Sequence, residues 1–267
     1  MSLLDQARAA DAEAEVDMNV EGAGFVRELA PAGPTLARLV GYVELGSHVD
    51  TYEGKPKAPC RKFRLSFALL GPKHIDADGK PRIMHSKSLN IMTDAKAIAF
   101  KTFAKMNYLK KAKSFSGLLN EVYLISVVHV PDKKDPNTIY DNLDLSSIAA
   151  PIDPLSGATY SAPEVPEEMF NWFLFDKPNP EQWKKLFIEG TREDGTSKNW
   201  LQDLIMRAVD FPGSALEQML VGGVPTPQEL AAPAAAPVTP AAIPAAPAPA
   251  SAPVLPAAPA APVAPVV

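Results

Sequence analysis

The stretch LARLVGYVEL, residues 36–45, decides how we expect the chain to fold. Its apolar residues recur with the period of two that is typical of a half-buried β-strand. One side of this predicted strand carries Ala37, Leu39, Gly41, Val43 and Leu45, and the other carries Arg38, Val40, Tyr42 and Glu44. We expect the first side to face a core and the second side to face outward.

A second stretch with the same period, RKFRLSFALL, occupies residues 61–70. Between the two stretches, residues 46–60 are rich in Gly, Pro and charge, which indicates a loop. The second predicted strand places Phe63, Leu65, Phe67 and Leu69 on its core side, and Lys62, Arg64 and Ser66 on the other. Its outer side is therefore expected to be cationic.

The order of the remaining elements predicts the fold class. Residues 82–91 form a third, weaker strand pattern, and residues 95–106 have helical spacing after a cap at Thr93 or Asp94. Residues 122–130 and 139–146 predict two further strands. Three strands, a helix and two strands are the order of an OB-fold, a five-stranded Greek-key barrel that binds oligonucleotides across its middle strands and neighbouring loops. An SH3-like barrel lacks that helix.

Outside this barrel, composition divides the chain into three further segments. Residues 1–30 form an acidic N-terminal arm, and residues 31–150 form the OB-fold domain. Residues 151–222 predict a helical appendage, with an Asn179-Pro180 helix start and a second cap at Ser197 for a helix through Val209. Residues 223–267 are rich in Ala and Pro, which predicts a disordered tail. The protein is therefore expected to be mainly β with appended α.

Charge is distributed unevenly along the chain. The net charge of the whole is −5, yet residues 35–143 hold 18 Lys and Arg against 10 Asp and Glu, a net of +8. The rest of the chain carries −13. A basic domain between acidic segments is typical of a nucleic-acid binder, although basic residues that only solvate one face would give the same count.

No sequence motif predicts an enzyme or a cofactor. Asp76-Ala77-Asp78-Gly79 resembles the start of a calcium loop, but Lys87 occupies the position of the required Glu. The motifs GxSxG, HExxH and CxxC are absent, and the four histidines are scattered. The single Cys60, an N-terminus unlike a signal peptide and the lack of a membrane-length apolar run predict a cytoplasmic protein without membrane contact.

The constellation that remains is basic residues interleaved with aromatic ones, which suits single-stranded DNA. Bases stack on aromatic rings while Lys and Arg track the phosphates. The predicted DNA-binding residues are Arg38, Tyr42, Tyr52, Lys55, Lys57, Arg61, Lys62, Arg64, Arg82 and Lys87. His85 extends this surface, and Lys110, Lys111, Lys113 and Phe115 are a further candidate path. Burial in a core is the alternative for Tyr42 and Tyr52, and Trp172, Trp183 and Trp200 are expected in the core of the appendage.

These motifs resemble a known family. The stretch PAGPTLARLVGYVELGSHVDTYEGKPKAPCRKFRLSFALLGPKH, a following DGKP hairpin and VYLISVVHV resemble bacteriophage replication proteins that bind single-stranded DNA through an OB-fold. The shared features are a YxGK-like core at residues 52–55 and the RKxRLxFxL strand, and the resemblance covers residues 31–151. It implies handling of single strands during phage DNA replication or recombination in the host cell cytoplasm, and it supplies no residue roles.

One departure from related binders concerns partners. Many single-stranded DNA-binding proteins end in an acidic tail that recruits replication proteins, whereas this chain carries no charge after Glu229. Phage replication proteins would then be recruited through the appendage or a proline-rich contact. Two other interpretations stay open at this point: a non-enzymatic adaptor that docks an acidic replication or host protein, and a nuclease. The oligomeric state is open as well.

Overall fold

The computed structural model describes residues 28–153, 155–192 and 195–223, and it is mainly β, as predicted. A large antiparallel sheet dominates, with a few short helices. The strands are β1 (Gly33–His48), β2 (Thr51–Tyr52), β3 (Lys55–Pro56), β4 (Cys60–Leu69), β5 (Arg82–His85), β6 (Leu89–Asn90), β7 (Val122–Pro131), β8 (Ile139–Ala149) and β9 (Asn171–Phe173). The helices are α1 (Ile98–Met106), α2 (Pro180–Lys185), α3 (Trp200–Met206) and α4 (Ala215–Val221).

The strands of the sheet follow the order β5-β4-β1-β7-β8. Strand β1 is central, with β4 antiparallel along one edge and β7 antiparallel to its first half. The edge of β1 that pairs with β7 also pairs with β9, which lies parallel to β1 at residues 41–43. The helix α1 lies between the third and fourth strand regions, as the sequence predicts. Strands β5 and β8 approach one another, but no ladder joins them within the described residues.

Both faces of β1 are buried, which corrects the prediction of one core side and one outer side. The pairing of β1 with β4 shifts register between Leu39 and Gly41 and again between Glu44 and Gly46. Each irregularity adds a residue to one strand and so changes which side chains share a face. Tyr42 consequently joins the same core as Leu39, whereas Val43 joins a second core formed with the appendage.

The second irregularity requires a glycine. Gly46 has φ +77°, in the left-handed region that favours glycine. A Cβ at this position would meet the Ala208 side chain at 2.5 Å and the Phe175 ring at 2.9 Å. A side chain at this position would therefore clash with residues of the appendage.

Three predicted boundaries change in the structure. The third strand is broken into β5 and β6, because Ser86 donates its N–H to the Leu65 carbonyl and turns its hydroxyl toward the backbone of Leu65. The helix α1 begins at Ile98 after Ala97, and the Asp94 carboxylate accepts from the Lys96 N–H in the turn before it. Predicted caps at Thr93 and Asp94 are therefore one turn too early.

The appendage packs on the sheet with its own apolar cluster. Trp183, Phe173, Phe175 and Ile205 are fully buried there, next to Val43 and Leu45 of β1; the set is Val43, Leu45, Phe173, Phe175, Trp183, Leu186, Ile205, Ala208, Leu216 and Leu220. The Asn179 cap of α2 is confirmed, since its Oδ1 accepts from the Glu181 N–H at 2.8 Å. The cap predicted at Ser197 is wrong: Asn199 precedes α3, which ends at Met206 rather than Val209.

The ends of the chain contain predictions that lie outside the described residues. Most of the acidic arm (1–27) and nearly all of the predicted disordered tail (224–267) belong to them. Among the helices that are described, none is both long enough and apolar enough to span a bilayer.

Candidate nucleic-acid interface

A basic cleft of about 810 Å³ opens where β5 and β8 approach without pairing. Residues 82–87 form one wall, and residues 130–134 with 140–142 form the other. Its cationic side chains are Arg64, Arg82, Lys87, Lys133 and Lys134. Its acidic ones are Asp132 and Asp141. The cleft therefore has a formal excess of positive charge, and below we call it the β5–β8 cleft.

The connection between β7 and β8 presents two of these lysines to solvent. Lys133 and Lys134 are exposed, and neither forms an ion pair with a described residue. The Asp132 carboxylate holds the turn by accepting from the Lys134 N–H at 2.6 Å. The Asp132 charge is therefore engaged by the backbone beside the two lysines.

Arg64 is the innermost cation of the β5–β8 cleft. Its Nε donates to the Ser86 carbonyl at 3.0 Å, and its guanidinium lies 4.8 Å from the centre of the Trp200 ring. Burial lowers the pKa of Arg64, because desolvation disfavours the charged form, but a guanidinium remains protonated at neutral pH. One wall of the cleft thus carries a fixed positive charge stacked on an aromatic ring.

His85 adds a titratable group to the same wall. Its Nδ1 shares a 2.8 Å hydrogen bond with the Ser66 hydroxyl across the β4–β5 ladder. Desolvation, and then the positive charge of Arg64, lower the pKa of His85 below its ordinary value. The imidazole is therefore neutral at neutral pH, and an anion in the cleft would favour its protonation.

The first long loop contains a small hairpin formed by β2 and β3. Tyr52 is 59% exposed at its tip, and the Lys57 ammonium lies 4.4 Å from the centre of the Tyr52 ring. Lys55 pairs with Tyr52 in the two-residue ladder and is also exposed. The structure thus brings together three predicted site residues, Tyr52, Lys55 and Lys57, as an exposed aromatic ring among cations.

Strand β4 connects the hairpin to the β5–β8 cleft. It starts at Cys60 beside the hairpin, pairs with β6 at Lys62, and pairs with β5 from Ser66 onward. Six residues of strand span about 20 Å. The exposed Lys87 lies between β5 and β6, so it extends the cationic surface along this edge.

The structure places Arg38 differently from the prediction. It is 5% exposed, and its guanidinium donates to the Asn120 carbonyl at 2.9 Å and to the Pro163 carbonyl at 2.8 Å. It also forms an ion pair with Glu164 at 3.4 Å. The prediction that Arg38 faces outward is wrong, because later parts of the chain cover it and accept hydrogen bonds from both of its terminal nitrogens.

Tyr42 and Arg61 are likewise engaged inside the protein. Tyr42 is 5% exposed, so its predicted outward orientation is wrong; its hydroxyl donates to Glu44 at 2.9 Å, and its ring packs on Phe63 and Phe115. Burial first, and then the Glu44 charge, raise the pKa of Tyr42. Arg61 forms ion pairs with the same Glu44 at 3.1 Å and with Asp176 at 2.7 Å.

Some of the remaining lysine candidates form ion pairs inside the protein, and others are exposed. Lys62 forms an ion pair with Asp50, and Lys111 forms one with Glu121. Phe115 is buried in the main core, so the further path predicted through it lacks the exposed ring that Phe115 is expected to supply. Lys110 and Lys113 are exposed next to it. The cations that remain available in the predicted set are those of the hairpin and of the β5–β8 cleft.

Sequence reasoning missed three residues of this surface. Lys133 and Lys134 are absent from the predicted DNA-binding residues, although they lie between the last two predicted strands, in a loop that an OB-fold uses for binding. Trp200 was expected in the appendage core, but it is 37% exposed and stacks with Arg64. Trp183 does lie in that core, fully buried. In the sequence, only the position of Lys133 and Lys134 in that loop indicates a place in the binding surface.

The acidic turn after β4 is closed by its own hydrogen bonds. Asp76 accepts from the Asp78 and Lys80 N–H groups, which makes residues 76–80 a tight connection. Within the part of the chain that the structure describes, no group of three or more His, Cys, Asp or Glu side chains is placed to hold a metal ion.

Comparisons of the chain with protein-family models, with curated proteins and with solved structures find no match. The resemblance to phage replication proteins therefore stays a prediction.

Proposed function

We propose that this protein binds single-stranded DNA with little sequence specificity, during phage DNA replication or recombination, and does no chemistry on it. The observation that carries the proposal is the β5–β8 cleft, whose five cations are joined along β4 to an exposed tyrosine among lysines. The cations of the cleft would bind phosphates, and the exposed tyrosine ring would stack with unpaired bases.

An OB-fold is part of the proposal. The strand order β5-β4-β1-β7-β8, with α1 before β7, supports it, because the OB-fold is a partly open barrel with a helix in that place. In such a barrel β4 and β5 are the second and third strands, and the hairpin and residues 132–138 are the two binding loops. The cationic surface lies on these parts of the chain.

A single strand suits this surface better than a duplex does. A duplex keeps its bases stacked inside and offers phosphates to a basic surface, so an exposed ring such as Tyr52 gains little from it. A single strand offers both bases and phosphates. Apolar side chains that are partly exposed in the cleft, Ile83, Val130 and Tyr140, would also contact bases.

Fluorescence anisotropy with labelled oligo-dT, a matched duplex and an RNA oligomer tests the proposal over a salt series. The double variant Lys133→Ala, Lys134→Ala should bind oligo-dT at least ten-fold more weakly at low salt. Its log–log salt dependence should be shallower by about 1.4, since each phosphate contact on a single strand contributes about 0.7.

A matched control removes two lysines from elsewhere. Lys184 and Lys185 are exposed in the last turn of α2, and neither lines the β5–β8 cleft. Lys184→Ala, Lys185→Ala changes the net charge equally and should leave the salt slope unchanged. Equal losses in both variants, or no binding to any nucleic acid at low salt, would refute the proposal and leave the adaptor for an acidic protein as the function to pursue.

A further inference from the structure

A second depression opens beside α1, and its lining is mainly apolar. It has a volume of about 160 Å³ and is lined by residues of α1, of the chain that leads into α1 from β6, and of the turn at residues 113–115. The residues that line it and those that line the β5–β8 cleft form two separate sets. Below we call it the α1 pocket.

Aromatic rings form much of the lining of the α1 pocket. The centre of the Phe63 ring lies 5.5 Å from that of Tyr42 and 4.8 Å from that of Phe115. The Phe103 ring of α1 follows at 5.1 Å from Phe115. An apolar cavity of about 150 Å³ is large enough to bind benzene. The α1 pocket therefore has room for one phenyl ring or one branched aliphatic side chain.

Few polar side chains line the α1 pocket. The Tyr42 hydroxyl donates to Glu44, and the Ser114 hydroxyl shares a hydrogen bond of 2.8 Å with a neighbouring serine. The other polar residues of the lining are Thr93 and Lys113. A nucleobase carries hydrogen-bonding groups along its edges, and it would lose water here without gaining partners for them. An apolar side chain has no such cost, so the lining favours a protein ligand over a base.

The apolar surface continues outside the α1 pocket. Ile91, Met92 and Phe100 line the pocket and are also exposed. Phe100, together with the exposed Ile98, lines an adjoining depression of about 490 Å³ along α1. Contiguous exposed apolar surface with a polar rim is typical of protein interaction sites. The structure thus offers a pocket for one anchoring side chain and a longer surface for the chain that carries it.

The rim of this surface is positively charged. Residues 95–118 contain six lysines and no Asp or Glu, and all six lysines are exposed. Lys111 forms an ion pair with Glu121, and Lys105 donates to the Ser146 carbonyl. The lysines of this segment that form no ion pair with a described residue are Lys96, Lys101, Lys105, Lys110 and Lys113. A ligand with carboxylates beside its anchor complements this rim.

We propose that the α1 pocket binds an acidic segment of a partner protein through one aromatic or large aliphatic side chain of that segment. The anchoring side chain is buried among the rings of the pocket, and the carboxylates on either side of it contact the rim lysines. The anchor supplies most of the affinity, whereas the lysines supply charge selectivity and a salt dependence. The inference does not rest on the proposed function, because the β5–β8 cleft is a separate surface.

An NMR titration of the ¹⁵N-labelled full chain tests the location. The probe is an unlabelled peptide of Asp residues with one central Phe. Its ring should shift the amide signals of residues 91–103 and 113–115 more than those of residues 82–87 and 130–134. Shifts that are concentrated in the β5–β8 cleft, or the absence of shifts, would overturn the inference. A second peptide with Ser in place of Phe should bind at least about ten-fold more weakly, since it buries no ring. Equal binding of the two peptides would leave only ionic attraction and would also overturn it.

Variants of exposed residues test the apolar contact and are not expected to unfold the protein. Phe100→Ser should weaken binding of the Phe peptide about three- to ten-fold, because the side chain lines both the α1 pocket and the adjoining depression. Val221→Ser removes an exposed apolar side chain at the end of α4 and should change the affinity less than two-fold. Equal losses in the two variants would contradict a specific pocket.

The charge of the rim is tested separately. Lys101→Ala, Lys113→Ala should weaken binding of the same peptide about three- to ten-fold at low salt, and less as salt rises. Lys184→Ala, Lys185→Ala removes the same charge from α2 and should change the affinity less than two-fold. Equal losses in both double variants would assign the attraction to net charge and overturn the inference.

Two other occupants of the α1 pocket are outcomes of the same experiments. Oligo-dT that shifts the signals of residues 91–103 and displaces the peptide would make the pocket part of the DNA path. A dimer detected by analytical ultracentrifugation and lost in Phe100→Ser would make the occupant a second copy of the chain. Either result overturns the inference. Peptide binding at the α1 pocket without any binding of oligo-dT would support the inference while the proposed function fails, and the reverse result would leave only the proposed function.

Discussion

Two sides of the same sheet use basic side chains in opposite ways. Where the appendage covers β1, the terminal guanidinium nitrogens of Arg38 and Arg61 contact carbonyl and carboxylate oxygens. Where β5 and β8 part, Lys87, Lys133 and Lys134 face solvent without an ion-pair partner among the described residues. A positive charge on the covered side stabilises the fold, whereas one on the open side remains available to a ligand.

The carboxylate of Glu44 shows how the covered side is held together. It accepts from the Tyr42 hydroxyl, from Arg61 and, at 3.0 Å, from the Phe175 N–H of the appendage. Asp210 does the same at the end of β1, where it accepts from the N–H and hydroxyl of Ser47. Burial opposes its ionisation, but these hydrogen bonds prevail and lower the pKa of Asp210. The appendage is thus fixed to β1 by charged groups as well as by its apolar core.

The largest effect that this comparison predicts is on stability, at Arg38. Arg38→Met keeps the apolar stem but removes donors to the Asn120 and Pro163 carbonyls, and should lower the free energy of unfolding by about 2–4 kcal/mol. Urea denaturation measures this loss. Lys87→Met on the open side is the matched control and should change stability by less than about 0.5 kcal/mol.

The DNA affinity of the same two variants should differ between the covered and the open side of the sheet. Folded Arg38→Met should bind oligo-dT as the unaltered protein does, and Lys87→Met should bind it more weakly. Full stability in Arg38→Met together with a loss of affinity would reverse the assignment and return Arg38 to the interface, where the sequence alone places it.

The next effect concerns the hairpin. Tyr52→Ala should weaken oligo-dT binding by about 1–3 kcal/mol, roughly 5- to 150-fold, because a stacked base loses its aromatic surface. Its stability should change by less than about 0.5 kcal/mol, since the ring is 59% exposed. Tyr52→Phe retains the ring and should retain the affinity. Equal losses in both variants would assign the effect to the hydroxyl and argue against stacking.

The strands could be predicted from the sequence because period and burial agree over most of their length. Phe63, Leu65, Phe67 and Leu69 are all buried, as the alternation in β4 predicts. The same reasoning fails in β1 after Leu39, where a register shift exchanges the faces. The period of two in the sequence cannot reveal such an irregularity, because β1 carries apolar residues on both faces. Some of them pack in the main core and others pack against the appendage.

The candidate site was less predictable because charge alone does not disclose its partner. The contacts of Arg38 lie 82 residues away at Asn120 and 125 residues away at Pro163. No local pattern around Arg38 distinguishes it from Arg64, and only tertiary structure buries one and places the other in the cleft. Lys133 and Lys134 gain their significance in the same way, when the turn into β8 brings them opposite β5.

The smallest predicted effect is a pH dependence from His85. Desolvation and Arg64 lower its pKa below the ordinary 6.5, so the free cleft has a neutral imidazole at pH 7. A phosphate in the cleft favours the protonated form and raises that pKa, so binding takes up a proton. Oligo-dT affinity should therefore rise about two- to five-fold between pH 7.5 and 5.5, as measured by anisotropy at constant ionic strength.

The variant His85→Gln separates this effect from other titrations. It should flatten the rise, whereas His48→Gln, whose ring bonds to the Leu45 carbonyl of its own strand, should keep it. The same lowered pKa has the opposite consequence for the free protein. Below about pH 6.5 the unfolded chain binds a proton at His85 that the folded state resists, so stability falls as pH falls, and His85→Gln removes that part of the loss. Affinity that rises while stability falls, both through one imidazole, would place His85 beside the bound phosphate; a rise that survives in His85→Gln would move the proton uptake elsewhere.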